Sequence, residues 1–299
     1  MDAKVWAWFG CLTMCLAAPL HAQTALAWKF SAGQTMSVEL AQRVETETQF
    51  SGKPVRVTVD TTLEQWWTID EVANDGTATM TQEFRRIAVK LELPQTSAIA
   101  YDSAATKKPA GDAKNLAESL GPLIGGKLQV KLAATGEILD VTLGESLASH
   151  LEKLPADAGW KGLFSRDGLR QLLRQSVVVF PSEAVDAGAT WKRELEIAAP
   201  LGKIHQTSDY KYVGPESRDM RTLERIDVTS RVTVAKGAGP AEPPTIKEQS
   251  QTGQIWFDAA AGRLSESTST QKLRTEAKVR DTVVGVTVNS TLKTRLTAR

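Results

Sequence analysis

The sequence predicts a mainly β fold with a small α insert: long curved antiparallel sheets, either one half-barrel or two paired half-barrels, with short helices on the concave side. Three observations carry this. Val55, Val57, Val59, Leu63, Trp67 and Ile69 hold apolar side chains on odd positions, alternating with Arg56, Thr58, Asp60 and Glu64, the period of a strand with one buried face. Asn74-Asp75-Gly76 then supplies residue types that tolerate the positive φ of a tight hairpin. The return arm places Ala78, Met80 and Phe84 on even positions but Ile87, Val89, Leu91 and Leu93 on odd ones. A strand cannot change its buried parity without an extra residue, so a β-bulge is expected near Arg85-Arg86.

The remaining elements follow in order. Trp28-Lys29-Phe30 leads to a turn at Gly33, after which Met36, Val38, Leu40 and Val44 alternate with Ser37, Glu39, Arg43 and Glu45 as a second long half-buried strand. Past Leu93 the pattern breaks. Pro94 and the segment from Tyr101 to Gly111 read as loop, and Asp112 is placed to cap a short helix carrying Leu116, Ala117 and Leu120. Leu128, Val130 and Leu132, then Ile138, Val141 and Leu143, make a hairpin around Gly136. Leu147, Leu151 and Leu154 recur at helical spacing, and Ser165 or Asp167 starts a further helix with Leu169, Leu172 and Leu173 on one face. Strands are expected to resume at Val177. Ile204, Gln206, Ser208, Tyr210 and Tyr212 share one face, and Ile226, Val228, Val232 and Val234 another. Gly237 to Pro244 is a long loop between strands, and Ile255, Phe257, Leu264 and the valine-rich run from Val284 to Leu296 complete the pattern.

Two halves echo one another. Phe30 to Met36 is matched by Val185 to Trp191, Trp67 to Arg86 by Tyr210 to Arg225, and Gly126 to Thr142 by Gly253 to Thr268, in the same order. An internal duplication is therefore a candidate, with halves 26–145 and 177–297 joined by a helical segment 146–176 within one β-rich domain, 23–299.

Residues 1–22 have the pattern of an export signal: Lys4 precedes an apolar run from Val5 to Leu20, and Leu20-His21-Ala22 offers small-residue cleavage before Gln23. The expected location is periplasmic or secreted. Both cysteines, Cys11 and Cys15, lie inside this run, so the processed chain has neither disulfide nor thiolate. A lipid anchor needs a small residue before the modified cysteine. Gly10 offers one to Cys11, but Trp8-Phe9 and the short preceding segment fit poorly, and Met14 does not suit Cys15. No transmembrane helix is expected in the processed chain. With 36 Lys and Arg against 35 Asp and Glu, a net charge of +1 gives no field to recruit nucleic acid. Arg85-Arg86 and Lys107-Lys108 read as solvated positions.

Catalytic motifs fail on their chemistry. Gly121 to Lys127 has the spacing of a phosphate-binding loop, yet Leu128 stands where a magnesium-binding hydroxyl belongs, and the order runs helix to strand. The processed chain keeps only His150 and His205, both expected to face solvent, and it has no nucleophile elbow and no zinc-binding pair. Neither catalytic residue, metal nor cofactor is expected. Tyr101-Asp102-Ser103 reads as a turn in which Asp102 accepts from nearby backbone amides. Trp67 belongs to the buried face, while Trp66 points to the other, to line a groove or meet a helix.

Trp28-Lys29-Phe30 with Gly33, Gly76-Thr77-Ala78-Thr79, Tyr101-Asp102-Ser103, Gly188-Ala189-Thr190-Trp191, and Phe257-Asp258 with Gly262-Arg263-Leu264 together resemble a family of secreted bacterial proteins catalogued as a domain of unknown function. The resemblance implies export and a β-rich fold, and it brings no activity. The architecture is also similar to the half-barrels of envelope lipoprotein and lipid carriers, an analogy of fold. The expected function is non-enzymatic binding outside the cytoplasm, of a lipid or other apolar ligand, with Trp66, Tyr101, Leu151, Leu172 and Tyr210 as ligand-contacting candidates. The alternative is a structural or protein-interaction module of the envelope with a protein partner and no small ligand. A hydrolase, third, would need clustered carboxylates in a cleft.

Overall fold

A computed structural model of the chain describes residues 23–50, 53–153, 170, 173–174, 177–199, 202–218, 220–234, 244–279 and 282–299. Residues 1–22, where an export signal is expected, Leu172 and the expected helix starts at Ser165 and Asp167 lie outside them.

The predicted hairpin forms from β2 (Lys53–Val72) and β3 (Ala78–Glu92). At its turn Gly76 has φ +81°, and the Thr77 amide donates to Asp75 Oδ1 at 2.9 Å. Glu64 pairs with Arg86 but Gln65 with Phe84, so the register skips Arg85. The expected bulge is there, and it keeps Met80, Phe84 and Ile87 all buried.

The other strands are β1 (Thr35–Phe50), β4 (Ile99–Asp102), β5 (Lys127–Leu132), β6 (Ile138–Leu143), β7 (Thr190–Ala199), β8 (Gly202–Arg218), β9 (Arg221–Val234), β10 (Thr245–Asp258), β11 (Arg263–Val279) and β12 (Thr282–Ala298). Among the described residues they form one open antiparallel sheet in the order β6-β5-β3-β2-β1-β12-β11-β10-β9-β8-β7, with β4 added on β3. Each half of the chain lays its strands down in the same lateral direction, and the halves join where β1 meets β12 over fourteen register pairs, Met36 with Ala298 through Gln49 with Gly285.

Backbone hydrogen bonds show how strongly this sheet bends. The Trp28 amide donates to Ala134 O in the β5–β6 turn, and the next amide, Lys29, donates to Gly262 O in the β10–β11 turn, each at 2.8 Å. Those turns are six strand spacings apart, roughly 29 Å on a flat sheet, whereas neighbouring Cα atoms are about 3.8 Å apart. The sheet must curl until both turns meet one extended segment. That segment, residues 23–30, is a strap across one end. It is also bridged to Val185 through Thr24.

The core sits inside the curl. Trp28 packs edge-on to Phe257, with ring centroids 5.6 Å apart, and stacks on Phe30 at 5.9 Å, while Phe180 meets Phe257 at 4.6 Å. These rings close the strap end. The helices α1 (Ala113–Leu120) and α2 (Glu145–Lys153) pack on the inner side of β3 to β5, where Leu120, Leu123, Leu147 and Leu151 join the core. Their apolar stripes bury because each helix lays one face on the sheet and leaves the other to water.

Four local expectations change. Tyr101 and Asp102 end β4 instead of opening a loop, since their backbone pairs with Val89 and Ala88. Asp112 holds the N-cap position of α1, but its side chain makes no capping bond. Val177 to Phe180 is not strand. It is an extended run buried against the strap, where Phe180 N donates to Thr135 O at 2.8 Å. His205 is exposed as expected, whereas His150 is half-buried, its Nε2 shielded from solvent without a hydrogen-bond partner among the described residues.

Candidate functional site

The curled inner face encloses a cavity of about 460 Å³. Its walls come from both halves: Phe84 of β3 and Tyr210 of β8, seven strand spacings apart along the sheet, line the same space. The parity of each strand dictates the lining. On β1 the inward positions are Val38, Leu40 and Gln42; on β12 they are Ser290, Leu292, Thr294 and Leu296. Polarity changes along the strands. Near the strap the walls are Trp28, Trp67, Phe84, Ile255, Leu264 and Leu296; farther away they become Gln42, Gln206, Gln251, Gln271 and Ser290. Among the described residues that line it there is no Asp, Glu, Lys, Arg or His.

The buried polar groups are mostly satisfied by one another. Ser208 Oγ and Ser230 Oγ are 2.8 Å apart, and Trp67 Nε1 donates to Gln65 Oε1 at 3.4 Å. At the rim, Trp191 stacks on Tyr210 with ring centroids 5.3 Å apart and donates from Nε1 to Val179 O at 3.0 Å. Two residues on, Arg193 donates from Nη1 to Val177 O at 3.0 Å. Burial pushes the Arg193 guanidinium below its usual pKa, although Tyr210 favours the charged form.

Deeper in, Tyr212 is 1% exposed and donates to Glu224 Oε2 at 2.5 Å, with Thr24 Oγ1 of the strap 3.0 Å away. Burial, helped by the neighbouring Glu224 carboxylate, pushes its phenol up to about 12. This bond fastens the strap to β8.

The five candidate residues do not converge. Tyr210 lines the cavity. Tyr101 and Leu151 are buried in the core beside α1 and α2, away from the cavity wall, and burial pushes the Tyr101 phenol up. Trp66 is on the outer face, with the guanidinium groups of Arg85 and Arg299 at 3.7 and 3.9 Å from its ring centroid. Leu172 lies outside the described residues.

Arg85 and Arg86 keep part of their side chains in solvent, as expected, and are also paired with acids. Arg86 donates to both Asp102 oxygens, at 3.0 and 2.7 Å, and to Glu64 at 2.8 Å. This bidentate pairing holds the Asp102 carboxyl below the usual range. Asp102 also accepts from Ala104 N at 2.9 Å, the turn bond that its sequence implied. Farther along the outer face, burial opposes ionisation of Glu266, but Arg295, Arg218 and Lys293 outweigh it and hold its carboxyl low.

Gly121 to Leu123 is a single helical turn that leads into backbone pairing of Gly125 and Gly126 with Phe84, so the loop that spaces like a phosphate site is a connector. Among the described residues no group of three His, Cys, Asp or Glu side chains is placed to hold a metal ion, and no helix is long and apolar enough to cross a membrane. Sequence reasoning missed Arg193 and the inward hydroxyls of β9 to β12. Their signal was a polar residue on a buried parity, as in Trp191-Lys192-Arg193-Glu194-Leu195.

A family model described as a family of unknown function, DUF6263, matches residues 75–264. No curated protein matches the sequence. Among solved structures, the chain is similar to one describing lipid-protein interactions in lipovitellin, with 12% identity and a TM-score of 0.46; the match covers 90% of this chain and only 25% of that one. An outer membrane channel from Pseudomonas putida F1 matches at 10% identity and TM-score 0.25, covering 90% and 97% of the two chains. A DUF1329 family protein from Desulfovibrio piger matches at 12% identity and TM-score 0.14, covering 84% and 83%.

Proposed function

The chain belongs to the family of unknown function DUF6263, and for this member we propose a non-enzymatic binding protein that works outside the cytoplasm and holds an apolar ligand, a lipid above all, in the curl of its sheet. One observation carries this: a cavity of about 460 Å³, within the size range of small-molecule sites, is walled by apolar and uncharged polar side chains and closed at one end by aromatic rings. A wall whose described residues carry no charge suits a molecule bound by area and shape. Export is supported by Lys4 and the apolar run from Val5 to Leu20.

The test is direct. Protein purified from its native host compartment, extracted with organic solvent, should release a lipid visible by mass spectrometry, and the stripped protein should take up a fluorescent fatty acid. Leu292→Trp, which puts a large ring on the cavity wall, should weaken that uptake about tenfold or more. Absence of both extracted lipid and uptake would remove the proposal.

A further inference from the structure

The polar end of the cavity is ordered. Following the register across the second half of the sheet, Arg193 of β7 pairs with Ser208 of β8, Ser208 with Ser230 of β9, and Ser230 with Gln251 of β10. Gln251 then pairs with Gln271 of β11, and Gln271 with Ser290 of β12. Directly opposed residues in a sheet share a face. Six neighbouring strands therefore put hydroxyls, amides and one guanidinium in a single lateral row on the inner side. Five of the six line the cavity, and the sixth, Arg193, binds the carbonyl of Val177, which also lines it.

On β8, β9 and β10 the steps from this row toward the strap become apolar, while β11 and β12 keep Ser269, Ser267 and Thr294 on the wall. Tyr210 and Val228 come next, then Ile226 and Ile255, then Phe257, with Trp28 packed on it. Gln251 and Phe257 are six residues apart, roughly 20 Å of strand. An apolar floor under a polar rail fits an amphiphile lying along the strands.

Arg193 decides the kind of head. It carries the only formal charge in the row; burial and Arg174 oppose its charged form, while Tyr210 and Glu137 favour it. A guanidinium has five donors in a fixed fork; Nη1 bonds Val177 O, and the Tyr210 hydroxyl is also a partner. Burial penalises this cation, and an anion bound at its remaining donors would offset that cost.

We propose that the ligand of this cavity is an amphiphile with an acidic head, a carboxylate or a phosphate, which Arg193 receives at the end of the polar row while the acyl chain runs toward Trp28. This rests on the reading of the cavity as a lipid site, and the experiment separates the two. Stripped full-length protein is titrated calorimetrically with palmitate, hexadecyl phosphate and uncharged monopalmitin. Both acids should bind about tenfold or more tighter than monopalmitin, the scale of a charge-assisted hydrogen bond. Arg193→Gln should abolish that advantage, lowering affinity for both acids about tenfold or more relative to monopalmitin measured on the same variant; Arg193→Lys should keep part of it. Palmitate above hexadecyl phosphate, or the reverse, identifies the head. If Arg193→Gln keeps the full advantage, the role of Arg193 is overturned. If wild-type protein binds monopalmitin as tightly as the acids, the acidic head is overturned and the lipid site stands. Binding of none of the three overturns both.

Discussion

Gly136 shows how little room the strap end leaves. Its φ is +91°, and an added Cβ would lie 2.0 Å from Val178 O and 2.7 Å from Trp28 Nε1, the two atoms that hydrogen-bond over it. Gly136→Ala should therefore cost roughly 2–5 kcal/mol, from the left-handed backbone and the displaced contact together. Gly33→Ala is the control: φ is +80° but nothing lies within 4 Å, so its cost should stay near about 1 kcal/mol. Chemical denaturation of the two variants checks the difference. Asp102 gives a pH signature. Arg86 lowers its pKa in the folded state, so the pair stabilises the fold above the unfolded carboxylate's pKa, near about 4, and that stability is lost as pH falls through the lower folded value. Asp102→Asn should lower the denaturation midpoint at pH 7, and the gap from wild type should narrow below about pH 4. A gap that is constant with pH would mean that the ionised carboxylate is not what matters.

At the scale of elements, the strap and the bulge do different work. The bulge at Arg85 lets one strand keep its buried face while the sheet turns beneath it, and its extra residue is what faces Trp66 on the outside. The strap holds the curl. Consecutive amides of Trp28 and Lys29 bond turns from opposite halves, and the Trp28 ring fills the space between Phe30, Phe180 and Phe257. Trp28→Ala removes a ring that is 3% exposed, and it should cost about 3–5 kcal/mol in urea unfolding. It should also impair uptake of the fluorescent fatty acid, because the apolar floor of the cavity is lost; a destabilised variant with unaltered uptake would separate the strap from the site. Among the described residues β6 and β7 are the edges of the sheet, and β7 alternates Lys192, Glu194 and Glu196 outward, charges that discourage pairing with another sheet.

For the whole molecule, the long strands, the Asn74-Asp75-Gly76 turn, the bulge and the placement of leucine-spaced helices on an inner face were legible in the sequence, because each follows from local periodicity and turn chemistry. Tyr210 was legible as part of an inward row for the same reason. Trp66 was not. Periodicity puts it opposite Trp67, but only the curl and the arrival of Arg299 from the last strand make that face the outside and give the ring its two cations. Nor could any local pattern join β1 to β12, bring Ala134 and Gly262 to neighbouring amides, or line up Arg193 with Ser208, Ser230, Gln251, Gln271 and Ser290. The sequence by itself determined which residues share a face of each strand, since a side chain's face on a strand is set by counting in twos. Tertiary structure alone decided how far the sheet bends, and so which inward residues share a cavity, because that depends on hydrogen bonds between segments more than a hundred residues apart.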